Sequence, residues 1–178
     1  LSEVSYDLQL TIPVEQSAPV EGQMQLNFTA KNADQDIYLD FRQPSDFLYA
    51  LSLNGDSLNA MVVNDHILLP KGSLQAGANT ATLHFRVGDL SLNRNPDYLY
   101  TLFVPDRAST AIPLFDQPDI KARYRLLLDV PDDWEALANG PLESTQLQSG
   151  RKRLQFAATE PFSTYVLAFT AGKFQKRT

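Results

Sequence analysis

Apolar residues recur at every second position in one segment after another, while no window of a dozen residues sustains the 3.6-residue period of a capped amphipathic helix. Tyr6, Leu8, Leu10 and Ile12 alternate with Asp7, Gln9 and Thr11. Met24, Leu26 and Phe28 repeat the pattern against Gln23, Gln25 and Asn27, as do Ala122, Tyr124, Leu126 and Leu128 against Arg123, Arg125 and Leu127. Successive side chains of a strand point to opposite faces, so each segment reads as a strand with one buried and one wet face. Further strands are expected at Asp36–Phe41, Phe47–Leu53, Ala81–Val87, Leu154–Phe156 and Tyr165–Phe169. Asn54–Gly55 marks a hairpin turn, and a short helical turn is expected at Pro118–Lys121. Strands this short and this evenly spaced predict an all-β chain of mostly antiparallel pairing. With 178 residues, no internal repeat and no Pro/Ser-rich linker, residues 1–178 read as one β domain.

Composition narrows the function. There is no cysteine, so disulfides, thiol nucleophiles and cysteine-ligated metals are excluded. The net charge of −6 argues against a globally basic nucleic-acid binder. Acids outnumber bases 11 to 4 in residues 1–89, whereas residues 90–178 carry 10 acids and 11 bases. Arg151-Lys152-Arg153 follows a Ser149–Gly150 turn and reads as a solvated hairpin tip rather than a phosphate site. The apolar-rich run Tyr98–Val104 is far short of the ~20 residues of a membrane helix, so no membrane partner is expected. A start at Leu1 reads as a processed product or an excised piece, equally compatible with an extracytoplasmic and a cytoplasmic origin.

Catalytic signals are missing from these residues. His66 and His84, the two histidines, lie on separate segments without an H-E-x-x-H helix and read as surface residues rather than ligands. No G-x-S-x-G elbow, P-loop or dinucleotide fingerprint occurs. Asp132–Asp133 reads as a turn. No catalytic residue and no metal ligand is assigned, and on residues alone the chain is a non-catalytic β module.

One stretch is more particular. In Ala108-Ser-Thr-Ala-Ile-Pro-Leu-Phe-Asp-Gln-Pro-Asp-Ile-Lys-Ala122, Pro113 and Pro118 fix φ on either side of an apolar pair, and Asp116 stands where its carboxylate can accept orphan backbone N–H groups as an N-cap does. The stretch reads as a rigid, buried crossover that holds the preceding Val104–Ala108 loop in place.

These residues resemble the motif A-R-x-x-F-P-C-F-D-E-P-x-x-K-A in the N-terminal domain of the M1 (gluzincin) family of zinc aminopeptidases, which includes aminopeptidase N. Pro113, Phe115, Asp116, Pro118, Lys121 and Ala122 match it, while Ile112, Leu114 and Gln117 replace its Phe, Cys and Glu. Tyr6-Asp-Leu-Gln-Leu, Leu137-Ala-Asn139-Gly and Phe162-Ser-Thr-Tyr-Val-Leu-Ala-Phe-Thr-Ala-Gly172 are similar to further family segments in the same order. The resemblance implies a saddle-shaped, mostly antiparallel sheet with smaller sheets packed on it. It implies the first domain of a longer metallopeptidase, partnered by a catalytic domain of the same chain that holds zinc and acts on peptides. This domain would wall the active-site cleft. In the family a Gln or Glu before the central motif helps bind the substrate's amino terminus. Val104 stands there, so Val104, Asp106 and Arg107 form the expected substrate-facing loop, with the polar contact supplied by Asp106 or Arg107. The alternatives are a relative that has lost its zinc site and serves as a binding or scaffolding module, and a carbohydrate-binding sandwich with Trp134, Tyr98 and Tyr100 as its platform. The last two tyrosines are expected instead to pack beneath the crossover.

Overall fold

In the computed structural model, which describes residues 1–175, the alternating segments are strands and their apolar faces converge. The strands are β1 (Ser2–Thr11), β2 (Glu21–Ala30), β3 (Ile37–Asp40), β4 (Leu48–Leu53), β5 (Asp56–Leu58), β6 (Val62–Val63), β7 (His66–Leu69), β8 (Gly77–Arg86), β9 (Leu92–Arg94), β10 (Tyr98–Thr101), β11 (Ala122–Pro131), β12 (Glu135–Ala138), β13 (Leu142–Gln148), β14 (Arg151–Phe156) and β15 (Phe169–Gly172). An eight-stranded sheet runs β13-β14-β11-β1-β2-β8-β4-β5; a four-stranded sheet runs β12-β15-β10-β9 and a three-stranded one β3-β7-β6. Within the large sheet only β1 and β11 pair in parallel, with Tyr6 opposite Tyr124, Leu8 opposite Leu126 and Leu10 opposite Leu128. The all-β reading, a large and mostly antiparallel sheet accompanied by smaller ones, is therefore correct.

A sheet with one apolar face must bury it against another layer. The inward residues Leu10, Leu26, Leu83, Phe85 and Leu128 share one core with Leu39, Ile67 and Leu69 of the three-stranded sheet and with Phe41 just past β3. Each such side chain contributes about 1.5–3 kcal/mol by leaving water. Gly22 lies opposite Phe85, and a Cβ there would come within 2.5 Å of the Phe85 ring. The missing side chain is what lets that ring enter the core, edge-on to Phe41. The opposite face of the sheet is wet and carries Asp7, Gln9, Gln23, Gln25, Thr82, His84 and Arg125.

Four local expectations need correction. Residues 164–166 form a 3-10 turn, and the strand begins only at Phe169. Gln117 to Ile120 is a single hydrogen-bonded turn, without a helix at Pro118–Lys121. Arg151 and Lys152 are not a solvated tip: they lie in β14, with Arg151 Nε 2.7 Å from Asp129 and Lys152 Nζ 2.9 Å from Glu135. Both also donate to backbone carbonyls, Arg151 to Ile12 and Lys152 to Trp134, so the cluster fastens β14 to its neighbours. Tyr98 and Tyr100 do not lie under the crossover. Leu99 is the inward residue of β10, so its neighbours must face out, where they stack with ring centroids 6.1 Å apart. Trp134 is buried, which removes the central aromatic of a carbohydrate platform.

Candidate functional site

The loop that leaves β10 alternates between anchored and exposed residues. Phe103 is buried, whereas Leu102 and Val104 are 50% and 57% exposed. Asp106 and Arg107 are exposed beyond them. The chain then plunges into a buried 3-10 turn, Ala108–Thr110. Val104, Asp106 and Arg107 thus stand together at a tip whose two ends are fixed in the core.

Backbone hydrogen bonds hold that tip. Arg107 N donates to Phe103 O at 2.8 Å, and Arg42 N donates to Ser109 O at 2.8 Å. The Arg42 guanidinium donates to Asp106 O at 2.8 Å and lies 3.5 Å from the Asp106 carboxylate. Both side chains of that ion pair are well exposed, so its Coulombic share is small and the carbonyl contact is the firmer tie. Gln43 Nε2 donates to Thr110 O at 2.6 Å, and the buried Thr110 hydroxyl meets Ser91 Oγ at 2.7 Å. Gly88 lies directly against this turn: a Cβ there would come within 2.0 Å of Thr110 O.

The crossover beneath is built around two aspartates. Leu114 bridges Asp40 of β3 through reciprocal backbone hydrogen bonds, tying the three-stranded sheet to the segment that enters β11. Asp40 Oδ2 accepts from Asp116 N at 2.9 Å and Gln117 Nε2 at 2.7 Å, while its Oδ1 lies 3.2 Å from His66 Nε2. Asp116 does not cap the turn that follows it. Its Oδ2 accepts from Ser109 N at 3.0 Å, and its Oδ1 from the Thr164 hydroxyl. The carboxylate is thus shared between the turn behind the loop and the turn before β15. Of the other motif residues, Pro113 and Phe115 are buried; Pro118 and Lys121 are exposed. Sequence reasoning missed Asp40, Arg42 and Thr164, because partners 48 to 76 residues from Asp116, or on the far side of the loop, leave no local signal.

Phe115 N donates to the Tyr6 hydroxyl at 2.9 Å, and Tyr6 stacks on Tyr124, which stacks in turn on Phe162. Burial foremost, and Tyr124 next, pushes the Tyr6 phenol well above its ordinary range; burial and then the Asp116 charge push Tyr124 up. The sign follows. The folded state keeps both phenols protonated, while the unfolded chain ionises them near the ordinary value of about 10. Their contribution to stability is whole below about pH 10 and is lost as the pH rises beyond it. Phenolate absorbance followed together with circular dichroism is expected to show Tyr6 and Tyr124 ionising only as the fold opens. Ionisation of every tyrosine with the fold intact would contradict this.

The tip has no nucleophile beside a base. Among the described residues no three His, Cys, Asp or Glu side chains converge on a point where a metal could sit. His66 is engaged by Asp40, and His84 lies on the wet face of the large sheet. What the arrangement can do is present a fixed, exposed loop to something else.

Residues 89–166 match the Peptidase M1 N-terminal domain model. The chain is 26% identical to aminopeptidase N of Streptomyces lividans over 185 residues, covering 96% of this chain and 20% of that protein. An M1 zinc metallopeptidase from Deinococcus radiodurans shares the fold at a TM-score of 0.80 and 21% identity, over 96% of this chain and 42% of that one. Legionella pneumophila aminopeptidase A does so at 0.83 and 21%, over 97% of this chain and 21% of that one. The chain thus spans about a fifth or less of the curated relatives it matches and under half of these solved ones. Motifs in order along the sequence, a family match over residues 89–166 and a shared fold agree in supporting an N-terminal domain of an M1 aminopeptidase.

Proposed function

We propose that residues 1–178 form the first domain of a longer zinc-dependent M1 aminopeptidase, and that the Val104–Arg107 loop walls its active-site cleft and helps seat the amino end of a peptide substrate. The observation that carries this reading is the loop itself, an exposed tip anchored at both ends by buried groups. A wall that positions substrate must be pre-organised, because misplacement by about 1 Å can cost 100-fold in rate. A variant of the Deinococcus radiodurans enzyme is bound to the substrate Tyr-Ser-Ala, which supports a peptide as the ligand class. Zinc, and the groups that hold it, would belong to the catalytic domain. When bound there it would supply activation of a water for attack on the first peptide bond. Within this domain, Asp106 and Arg107 offer polar contacts and Val104 an apolar one, while Arg42, Asp116 and Ser109 fix their positions.

The test uses the complete polypeptide that carries this domain. About one zinc per chain and chelator-reversible hydrolysis of aminoacyl reporters are expected. Asp106→Ala should raise KM several-fold with kcat little changed, as loss of a ground-state contact does. Unchanged KM and kcat in this variant would remove Asp106 from the substrate site. Absence of zinc and of hydrolysis would overturn the enzyme reading and leave a binding or scaffolding module.

A further inference from the structure

The three-stranded sheet is apolar on both faces, although only one of them meets the core. Leu39, Ile67 and Leu69 point inward and are fully buried. Tyr38 and Leu68 form a cross-strand pair on the outside, and Val63 pairs with His66 beside them. Tyr38, Leu68, Val63 and Met61 are 44–54% exposed. Together with Leu58 and Pro70 they line an open groove of about 700 Å³, a volume typical of sites that take a ligand or a peptide side chain. The groove is separate from the Val104–Arg107 tip, and the reading of that tip makes no use of it.

Each edge of this sheet is engaged at one point. On one side Leu114 bridges Asp40 of β3. On the other, Ser45 Oγ donates to Val62 O at 2.8 Å and accepts from Val62 N at 3.0 Å, satisfying the outer backbone of β6. A visiting chain therefore cannot add as a strand at these points.

Aspartates neighbour the residues that line the groove: Asp36 accepts from Lys71 N beside Pro70, Asp65 lies between Asn64 and His66, and Asp56 is on the short strand that leads to Leu58. All three aspartates are exposed, and Lys71 follows the lining residue Pro70. An apolar floor neighboured by aspartates selects by charge as well as by area. We propose that this face is the docking surface for a protein segment that carries apolar side chains flanked by lysine or arginine. The apolar side chains would cover Tyr38, Val63 and Leu68. Met61, unbranched and adaptable, would take up the irregular remainder. The cations would meet Asp36, Asp56 and Asp65. A second copy of this chain would set the same aspartates against each other, and an anionic lipid surface would be repelled in the same way.

The test titrates the complete polypeptide that carries this domain, isotope-labelled within residues 1–178, with a synthetic peptide of alternating leucine and lysine, and with the same peptide bearing glutamate for lysine. Saturable amide shifts confined to residues 36–40 and 58–71 are expected with the lysine peptide alone. They should weaken with salt, since exposed charges are screened within about 10 Å at 0.1 M. Val63→Ser with Leu68→Ser, which trims only exposed side chains, should weaken binding by about tenfold, as should Asp36→Asn with Asp56→Asn and Asp65→Asn. Thermal melts of these variants verify the fold. No shifts, equal binding of the glutamate peptide, or equal affinity in folded variants would overturn the proposal. So would concentration-dependent shifts without peptide, which would assign the face to self-association.

Discussion

Phe115→Ala is expected to lower the free energy of unfolding by about 3–5 kcal/mol, the ordinary cost of deleting a fully buried aromatic ring. The ring is 1% exposed and meets Phe28 edge-to-face at 5.7 Å. Its own backbone N–H is held by Tyr6, whose ring begins the Tyr6–Tyr124–Phe162 stack. The flanking Pro113 and the Leu114–Asp40 bridge fix the backbone on the N-terminal side, so the crossover cannot slide inward to fill the void. Collapse around the missing ring is therefore limited, and the cavity contribution should appear nearly in full. Urea unfolding followed by near-ultraviolet dichroism reads it as a lowered midpoint with an unchanged slope. Phe115→Leu, which keeps most of the volume, should cost less. A loss below about 1 kcal/mol for the alanine variant would mean that the crossover is soft, and the case for a rigidly seated loop would weaken with it.

The parts of this fold that were legible in the sequence are those where one face is wet. In β1, β2, β8 and β11 the apolar positions that alternate in the sequence are the buried ones, and Asn54 and Gly55 take positive φ at the hairpin turn as an Asn-Gly pair should. β6 and β9, with two and three residues, are too short to show a period. β13 is exposed on both faces and has no alternation to read. Tyr165 to Phe169 carries strand-forming residues, yet the Thr164 hydroxyl bonds Asp116 and the backbone closes a tight turn instead, with Leu167 N donating to Thr164 O. There tertiary hydrogen bonding overrides local propensity. The loop could be found from its motif, but what holds it could not. Arg42 and Asp40 come from the edge of a different sheet, and no spacing rule relates them to Asp116.

Asp116→Ala is expected to be the most damaging polar substitution near the site, at about 2–5 kcal/mol. The figure follows from what it strands. Ser109 and Thr164 are almost completely buried, and each directs a donor at the carboxylate, Ser109 through its backbone N–H and Thr164 through its hydroxyl. Leaving a buried donor unpaired costs about 1–3 kcal/mol. Thr164 can recover part of this by rotating its hydroxyl, but the Ser109 N–H is fixed in the 3-10 turn and cannot. The damage should therefore be greater at Ser109 than at Thr164, and local before it is global. In native-state hydrogen exchange the amides of Ser109 and Thr110 should lose protection while those of Leu26 and Leu83 fall only by the change in overall stability. Asp116→Asn keeps a carbonyl oxygen for one donor and turns an amide toward the other, so an intermediate loss is expected. If Asp116→Ala unfolds at the same urea concentration and Ser109 stays protected, the carboxylate does not hold the loop. If protection is lost at Ser109 and Thr110 alone, the motif and the exposed Val104–Arg107 tip are one mechanical unit, with Asp116 fixing the end of the loop that enters the core.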